Sequence, residues 1–163
     1  MTIGHDAVKQ LLQVGEDRPI ADDDARIAPL AQLAADMGSP PPDRDAPVRE
    51  VMARLGDNWS ALILKILSTG SFRHATLKRV IAAYASEGEI SQRMLTLRLR
   101  ALERDGFVAR TVRENTNPPR VDYALTDLGQ ALEGQLSALI AWIETATPQI
   151  ETARASFTDE DDR

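Results

Sequence analysis

The sequence of 163 residues contains no cysteine and only two histidines. Without thiols the chain can form neither disulfides nor thiolate metal sites, and it has no cysteine nucleophile. The two histidines, His5 and His74, lack the spacing of a metal-binding pair, and no glycine-rich stretch has the spacing of a phosphate-binding loop. We therefore expect no enzymatic activity, no cofactor and no metal site.

Long apolar runs are also lacking. No stretch approaches the roughly 20 apolar residues that a membrane-spanning helix needs. The N-terminus does not show a charged segment followed by an apolar one. These features predict a cytoplasmic protein that has no membrane partner.

The chain lacks the excess of positive charge that is usual for nucleic-acid binders, because its formal net charge is −6. The distribution of charge is uneven, however. Residues 72–120 contain ten basic and five acidic side chains, a local charge of +5, and the rest of the chain carries −11. Phosphate affinity depends on the cations at the contact surface, so a basic segment on an acidic body is compatible with DNA binding.

Residues 1–42 are predicted to form a helical extension. Apolar residues recur at helical spacing within residues 5–14. A second helix is predicted to have the acidic Asp22–Asp24 in its first turn and to end at Gly38. The sequence Ser-Pro-Pro-Pro at 39–42 predicts a stiff, extended linker.

Three further helices are predicted in the next segment. Pro47 begins the first of them and Gly56 ends it. The second starts near Trp59 and ends at Thr69-Gly70, and the third covers residues 73–84.

Residues 92–104 are predicted to form a basic amphipathic helix. Ser91 is a suitable N-cap, and Leu95, Leu99 and Leu102 fall on the inward face. The opposite face carries Arg93, Thr96, Leu97, Arg100 and Arg104.

A β-hairpin is predicted directly after this helix, which Gly106 ends. Residues 107–113 and 121–125 alternate between apolar and polar side chains, and residues 114–119 form the tip between the two strands. Thr126 is predicted to cap a long final helix.

The order of four helices, a hairpin and a helix is that of a winged helix-turn-helix domain, mainly α with a small β-hairpin. Over roughly residues 46–145 the chain resembles the HxlR-type winged-helix transcriptional regulators. The resemblance rests on V-R-E-V-M-A-R-L-G-D-N-W (48–59), I-L-K-I-L (63–67), I-S-Q-R-M-L-T (90–96), L-R-A-L-E-R-D-G-F-V-A-R (99–110) and P-P-R-V-D-Y-A-L-T-D-L-G (118–129). It implies a homodimer that binds operator DNA and regulates transcription, more often as a repressor.

Four departures from the family pattern stand out. Ala46-Pro47 replaces the frequent Cys-Pro, which rules out thiol sensing. In residues 73–77, histidine and threonine replace the usual phenylalanine and glutamate of Arg-Phe-x-Glu-Leu. The turn before Ile90 is longer than usual, and residues 1–42 exceed the usual N-terminal arm.

Ten residues are candidates for DNA contact, because an arginine can donate to a guanine edge and threonine can meet a thymine methyl. They are Ser91, Gln92, Arg93, Thr96, Leu97, Arg100, Arg104, Arg110, Arg113 and Arg120. The alternative for the helix is a solvated face, and for Arg120 an ion pair with Asp122 or Asp127. Leu97 either contacts a thymine methyl or turns inward.

The final helix carries an apolar stripe at near-heptad spacing. Its residues are Leu128, Leu132, Leu136, Leu139 and Ile143. The stripe is either intradomain core or a dimer interface; we favour the interface, with residues 5–37 adding to it.

Taken together, the sequence predicts an extension at 1–42, a DNA-binding domain at 46–126, a dimerisation helix at 127–150 and an acidic tail at 152–163. The predicted partners are double-stranded DNA, here a palindromic operator, and a second copy of the chain. An unidentified small-molecule effector would bind between the extension and the last helix. The alternative function is a winged-helix protein-interaction module without specific DNA binding.

Overall fold

The computed structural model describes residues 5–14, 18–36, 46–86, 88–113 and 119–157. The chain divides into two compact units, residues 1–56 and 57–163. The predicted linker at 39–42, residues 114–118 of the predicted hairpin tip and residues 158–163 of the predicted acidic tail lie outside the described residues. No helix within the described ranges is long and apolar enough to cross a membrane.

The described part of the first unit contains three helices, α1 (His5–Gln13), α2 (Ile27–Asp36) and α3 (Pro47–Leu55). Val8, Ile20 and Ile27 are buried together, and Leu12 and Ala31 pack against them. Pro47 occupies the first turn of α3 and Gly56 follows its end, as predicted. The division of the chain falls after Gly56, whereas the sequence suggested a domain beginning at residue 46.

The acidic residues before α2 do not form its first turn, so that prediction was wrong. The Asp24 carboxylate accepts hydrogen bonds from the Arg26 backbone N–H at 2.9 Å and from the Arg26 guanidinium at 3.0 and 2.9 Å. These bonds lower the pKa of Asp24 to about 2. Because an aspartate that binds the backbone two residues ahead stabilises a turn, the helix begins later, at Ile27.

Among its described residues the second unit packs four helices around a small antiparallel sheet, and this confirms the predicted mainly α fold. Its elements in chain order are α4 (Ser60–Leu67), β1 (Phe72–Arg73), α5 (His74–Tyr84), α6 (Gln92–Arg104), β2 (Val108–Arg113), β3 (Arg120–Leu125) and α7 (Asp127–Ser156). The core is aliphatic and includes Ile63, Leu64, Leu67, Leu77, Ile81, Ile90, Leu95, Leu99 and Leu102.

Within the described ranges the sheet has three strands, in the order β1-β3-β2, where the sequence predicted a two-stranded hairpin. The additional strand, β1, pairs Phe72 with Tyr123 and Arg73 with Asp122. Two residues cannot show a period-two pattern, so the sequence gives no sign of this strand. It ties the start of α5 to the hairpin.

The end of α6 and the start of α7 meet at one point. Gly106 has a positive φ of 80°, and the N–H of Phe107 donates to the carbonyl of Leu102 at 2.9 Å, which closes the last turn of α6. The Thr126 hydroxyl donates to the Gly106 carbonyl at 2.6 Å and accepts from the Gly129 N–H at 3.0 Å. One threonine therefore caps α7 and binds it to the turn after α6.

A polar cluster joins α4 to α7. The Lys65 ammonium donates to Glu133 Oε1 and to Ser137 Oγ, both at 2.8 Å, and Ser137 donates to the same carboxylate oxygen at 2.7 Å. The Lys65 hydrogen bond, followed by that of Ser137, lowers the pKa of Glu133.

Helix α7 extends beyond its predicted end at residue 150 and reaches Ser156, with Pro148 inside it. Proline has no N–H, so one hydrogen bond of the helix is lost at Pro148, but the helix continues. The continuation shows that this local signal for ending a helix is overridden here.

Two glycines of α7 allow a matched test of the junction. A Cβ at position 129 would lie 2.0 Å from the carbonyl oxygen of Phe107, whereas a Cβ at position 134 would meet nothing within 4 Å. Gly129→Ala is expected to lower the free energy of unfolding by about 3 kcal/mol or more, since backbone must move. Gly134→Ala should raise the free energy of unfolding by about 0.5–1 kcal/mol, because alanine has the higher helix propensity.

Urea unfolding of both variants measures these changes. Equal effects at the two positions would contradict the close backbone contact at the junction.

Candidate nucleic-acid interface

Helix α6 begins with a side-chain cap and presents two different faces. The Ser91 hydroxyl accepts from the Met94 N–H at 3.1 Å, as the predicted N-cap should. Leu95, Leu99 and Leu102 are buried and at most 1% exposed. The outward face contains Gln92, Arg93, Leu97, Arg100 and Arg104, all exposed, with Thr96 half-buried at its edge.

Helix α5 precedes α6, and the short connection between them includes residues 85, 86 and 88–91 among the described residues. Ile90, part of this connection, is buried in the core. Lys78 of α5 lies 3.6 Å from the carboxylate of Glu89. The two helices and their turn form a helix-turn-helix in which α6 is the second helix, the position of a recognition helix.

The arginines of α6 differ in whether they have an acidic partner. Arg98 lies 3.4 Å from Asp57, which also accepts from the backbone N–H groups of Trp59 and Ser60 at the start of α4. Arg104 donates to Asp105 at 3.0 Å. In the described part of the second unit, Arg93 and Arg100 have no acidic partner. Their charge remains available to an anion outside the chain.

Thr96 and Leu97 differ in how freely they face outward. The Thr96 hydroxyl donates to the carbonyl of Gln92 at 2.9 Å and lies 3.1 Å from Nε2 of His74. Leu97 does not bend inward, since 49% of its surface is exposed. Two interpretations were offered for Leu97, contact with a thymine methyl and an inward turn. Its exposure is compatible with the first, in which it contacts an external surface.

The two arginines near the hairpin tip are bound to one buried carboxylate. Arg113 and Arg120 are direct partners across β2 and β3. Arg120 Nε donates to Asp122 Oδ1 at 2.9 Å, and Arg113 Nε lies 2.9 Å from Asp122 Oδ2. Asp122 is only 4% exposed. The alternative of an ion pair to Asp122 therefore holds for Arg120, and the same carboxylate also holds Arg113, which the sequence did not indicate.

Arg110 lies on the other face of the sheet, the face of its cross-strand partner Tyr123. Like Arg93 and Arg100, it has no acidic partner in the described part of the second unit. Two more basic residues, Arg73 at the start of α5 and Arg79 within it, also have no acidic partner among the described residues of this unit. Half of the ten basic residues of segment 72–120 are thus locally unneutralised.

The predicted dimerisation residues of α7 fall into two groups. Leu136 is buried in the core of its own chain, and Leu132 is half-buried. Leu128, Leu139 and Ile143 are 56%, 52% and 42% exposed, and the neighbouring Trp142 is 64% exposed. The helix therefore has an apolar outer face that the described part of its own unit does not cover.

A cavity of about 300 Å³ lies between α4 and α5. Its lining is mainly apolar and consists of Leu62, Lys65, Ile66, Thr69, Val80 and Tyr84. This is a different place from the one predicted for an effector, and no group of three or more metal-ligating side chains occurs within the described ranges.

The family model of the HxlR-like helix-turn-helix proteins matches residues 54–151. This match covers more than half of the chain, including both helices of the helix-turn-helix and the whole sheet. The chain belongs to the HxlR-like helix-turn-helix family.

Relatives and solved structures agree with this assignment. The chain is 38% identical over 108 residues to YtfH of Escherichia coli (strain K12), named as an uncharacterized HTH-type transcriptional regulator; the match covers 66% of this chain and 80% of that protein. The transcriptional regulator ytfH from Salmonella typhimurium is similar in structure, with a TM-score of 0.56, 36% identity, and coverage of 69% and 95%. HypR, a redox regulator solved in its reduced form, is also similar in structure, with a TM-score of 0.55 and 33% identity. The match covers 66% of this chain and 99% of HypR.

These similarities show a DNA-binding transcriptional regulator with a winged helix-turn-helix fold, not an enzyme. In this HxlR-like protein the β2–β3 hairpin is the wing. Two residues beside the candidate interface were not in the set of ten DNA-contact candidates: Asp122, which holds the wing arginines, and His74, which contacts Thr96. For Asp122 the alternating Arg120-Val121-Asp122 gave a signal, because residues two apart share a strand face.

The bond between Asp122 and the two wing arginines can be tested by its pH dependence. The hydrogen bond from Arg120 is the main cause that lowers the pKa of Asp122 from its ordinary value of 3.8, with Arg113 adding to it and burial opposing. A carboxyl with a lowered folded pKa contributes stability above its unfolded pKa and loses it as pH falls through the folded value. Asp122→Asn should therefore lower the melting temperature at pH 7, where Arg113 and Arg120 would repel each other across the strands.

Thermal melting from pH 7 to pH 2.5 measures the difference between the variant and the wild-type protein. We expect the difference in melting temperature to become smaller as the pH falls below 3.8. Glu144→Gln removes an acid from an exposed position of α7 and is the control, expected to change little. A difference that stays constant down to pH 2.5 would show that the ion pairs are not its source.

Proposed function

We propose that this HxlR-like protein is a homodimeric repressor that binds a palindromic operator in the cytoplasm. Helix α6 inserts into the major groove, where Arg93 and Arg100 contact base edges or the adjacent phosphates. The wing lies beside it, and Arg110, Arg113 and Arg120 contact the flanking backbone. Ser91 and Gln92 bind phosphate at the N-terminus of α6, where the backbone N–H groups favour an anion.

One observation carries this proposal: the outward face of α6 holds exposed arginines that have no acidic partner in the described part of the second unit. A helix whose only role is to cover the core does not require arginines without acidic partners on its outer face. Such arginines stand out in a chain in which acids outnumber bases, with a net charge of −6. Because counterion release depends on local cations, this face attracts a polyanion while the acidic remainder repels it.

The proposed dimer rests on the outer face of α7. Leu139 lies three residues before Trp142 and four before Ile143, so the three side chains share one side of the helix. Their exposure in the single chain is typical of a surface that another protein covers. In a symmetric dimer the same face meets itself, and the two α6 helices then occupy half-sites about 10 base pairs apart.

Removal of the two unneutralised arginines is the direct test. The double substitution Arg93→Ala and Arg100→Ala should weaken binding to upstream DNA of the protein's own gene by at least about 2 kcal/mol. The control, Arg18→Ala with Arg154→Ala, removes the same charge from exposed positions outside α6 and the sheet. Gel retardation at 50 and 200 mM salt compares the three proteins.

If the two double variants bound DNA with equal affinity, Arg93 and Arg100 would not be part of the DNA interface. The salt dependence separates their roles, since each lost phosphate contact lowers the slope of log affinity against log salt by about 1. An unchanged slope with lost specific affinity would assign the two arginines to base contacts.

The second candidate function is a protein-interaction module, favoured by the acidic charge of most of the chain. It predicts that wild-type protein retains no DNA fragment, or retains DNA with an affinity that salt hardly changes. Binding by several arginines must instead weaken steeply between about 50 and 200 mM salt.

The dimer interface can be tested on the exposed side of α7. Trp142→Lys places a charge where we propose apolar contact between subunits, so it should shift the protein from dimer to monomer in light scattering. Since Trp142 is 64% exposed in the single chain, the fold should survive. Gln130→Lys adds the same charge on another side of the helix and is the control.

Monomeric Trp142→Lys protein should also bind a palindromic site far more weakly than wild type does. A dimer that persists in this variant at micromolar concentration would place the interface elsewhere.

A further inference from the structure

His74 connects three elements of the DNA-facing half of the second unit. It is the first residue of α5, and its Nε2 lies 3.1 Å from the hydroxyl oxygen of Thr96 on α6. Its ring stands edge-to-face to Tyr123 of the wing strand β3, with ring centroids 6.4 Å apart and planes at 61°. The histidine is half-buried, so its orientation is set by contacts on both sides.

Counting protons shows which atom donates in the bond to Thr96. A threonine hydroxyl has one proton, and here that proton goes to the carbonyl of Gln92 at 2.9 Å. Both hydrogen bonds can form together only if the hydroxyl oxygen accepts from His74, and this arrangement places the imidazole proton on Nε2. Burial, and secondarily the charge of Lys78, lowers the pKa of His74, which keeps the ring neutral at pH 7.

The hydroxyl of Thr96 therefore has no proton left for DNA. The side chain retains one acceptor lone pair and its methyl group. A thymine methyl can pack on the methyl, and the amino group of adenine or cytosine can donate to the oxygen. Guanine, which offers two acceptors at its major-groove edge, finds no donor at this residue.

We propose that His74 is a positioning residue for base selection: its hydrogen bond keeps the Thr96 hydroxyl an acceptor, so that Thr96 selects against guanine at the base it faces. The inference rests on the proposed function, in which α6 enters the major groove. It concerns which base is preferred, and it leaves the affinity supplied by Arg93 and Arg100 unchanged.

Three variants separate the hydrogen bond from the packing of the ring. His74→Phe keeps an aromatic ring beside Tyr123 and removes the donor. His74→Gln returns an N–H donor without the ring. Thr96→Val keeps the branched shape without the hydroxyl and identifies the base pair that Thr96 faces, because discrimination should fall at that position alone.

Each protein is titrated with duplexes that carry all four base pairs at every position of a fragment that the wild-type protein retards. We expect the wild type to disfavour guanine at the Thr96 position and His74→Phe to reduce that discrimination about three- to tenfold, the effect of one hydrogen bond. His74→Gln should restore it. A purely structural role would lower affinity for every duplex alike and would leave the base profile unchanged.

The outcomes are distinguishable. Wild-type protein that shows no base preference on any fragment overturns the proposed function and this inference with it. Wild-type preference together with an unchanged profile for His74→Phe overturns the inference alone. Should His74→Phe fail to fold, the imidazole ¹H–¹⁵N correlations of the wild-type protein decide: protonation at Nε2 supports the inference, and protonation at Nδ1 overturns it.

Discussion

The contact between the turn after α6 and the first turn of α7 sets the relative positions of α6, the wing and α7. The carbonyl of Phe107 occupies the space that a Cβ at Gly129 would need, and Thr126 bonds to both sides of the contact. The wing begins and ends at this point, because Val108 pairs with Leu125 there. A shift of the junction would thus move α6, the wing and α7 together.

Charge is distributed in the second unit so that acids orient arginines. Asp57, Asp105 and Asp122 each bind at least one arginine of α6 or the wing. An ion pair of this kind adds little stability where it is exposed to solvent, but it reduces the number of conformations that an arginine must lose on binding. The acidic composition of the chain is therefore compatible with a polyanionic partner.

The parts of this fold that depend on local sequence were predictable. Helix 92–104, the Ser91 cap and the stop at Gly106 follow from periodicity and capping, which act within a few residues. The start of α2 was not, because a turn at Asp24 overrode the local preference, and the extension of α7 beyond residue 150 to Ser156 was not predicted either. Strand β1 and the bond between His74 and Thr96 depend on partners distant in sequence, and no periodicity reports such contacts.

The same distinction explains why the sequence did not separate the candidate arginines by their partners. Sequence position alone made the wing arginines and the helix arginines equivalent cations. The cross-strand register separates them, since Arg113 and Arg120 share the carboxylate of Asp122, whereas Arg93 and Arg100 have no such partner in the described part of their unit. Arg93 and Arg100 therefore give α6 two cations without an acidic partner in the described part of their unit, and Arg110 gives the wing one, whereas Arg113 and Arg120 are already oriented by Asp122. A surface organised in this way can combine electrostatic attraction from the unpaired arginines with oriented wing arginines that fix its register on the backbone.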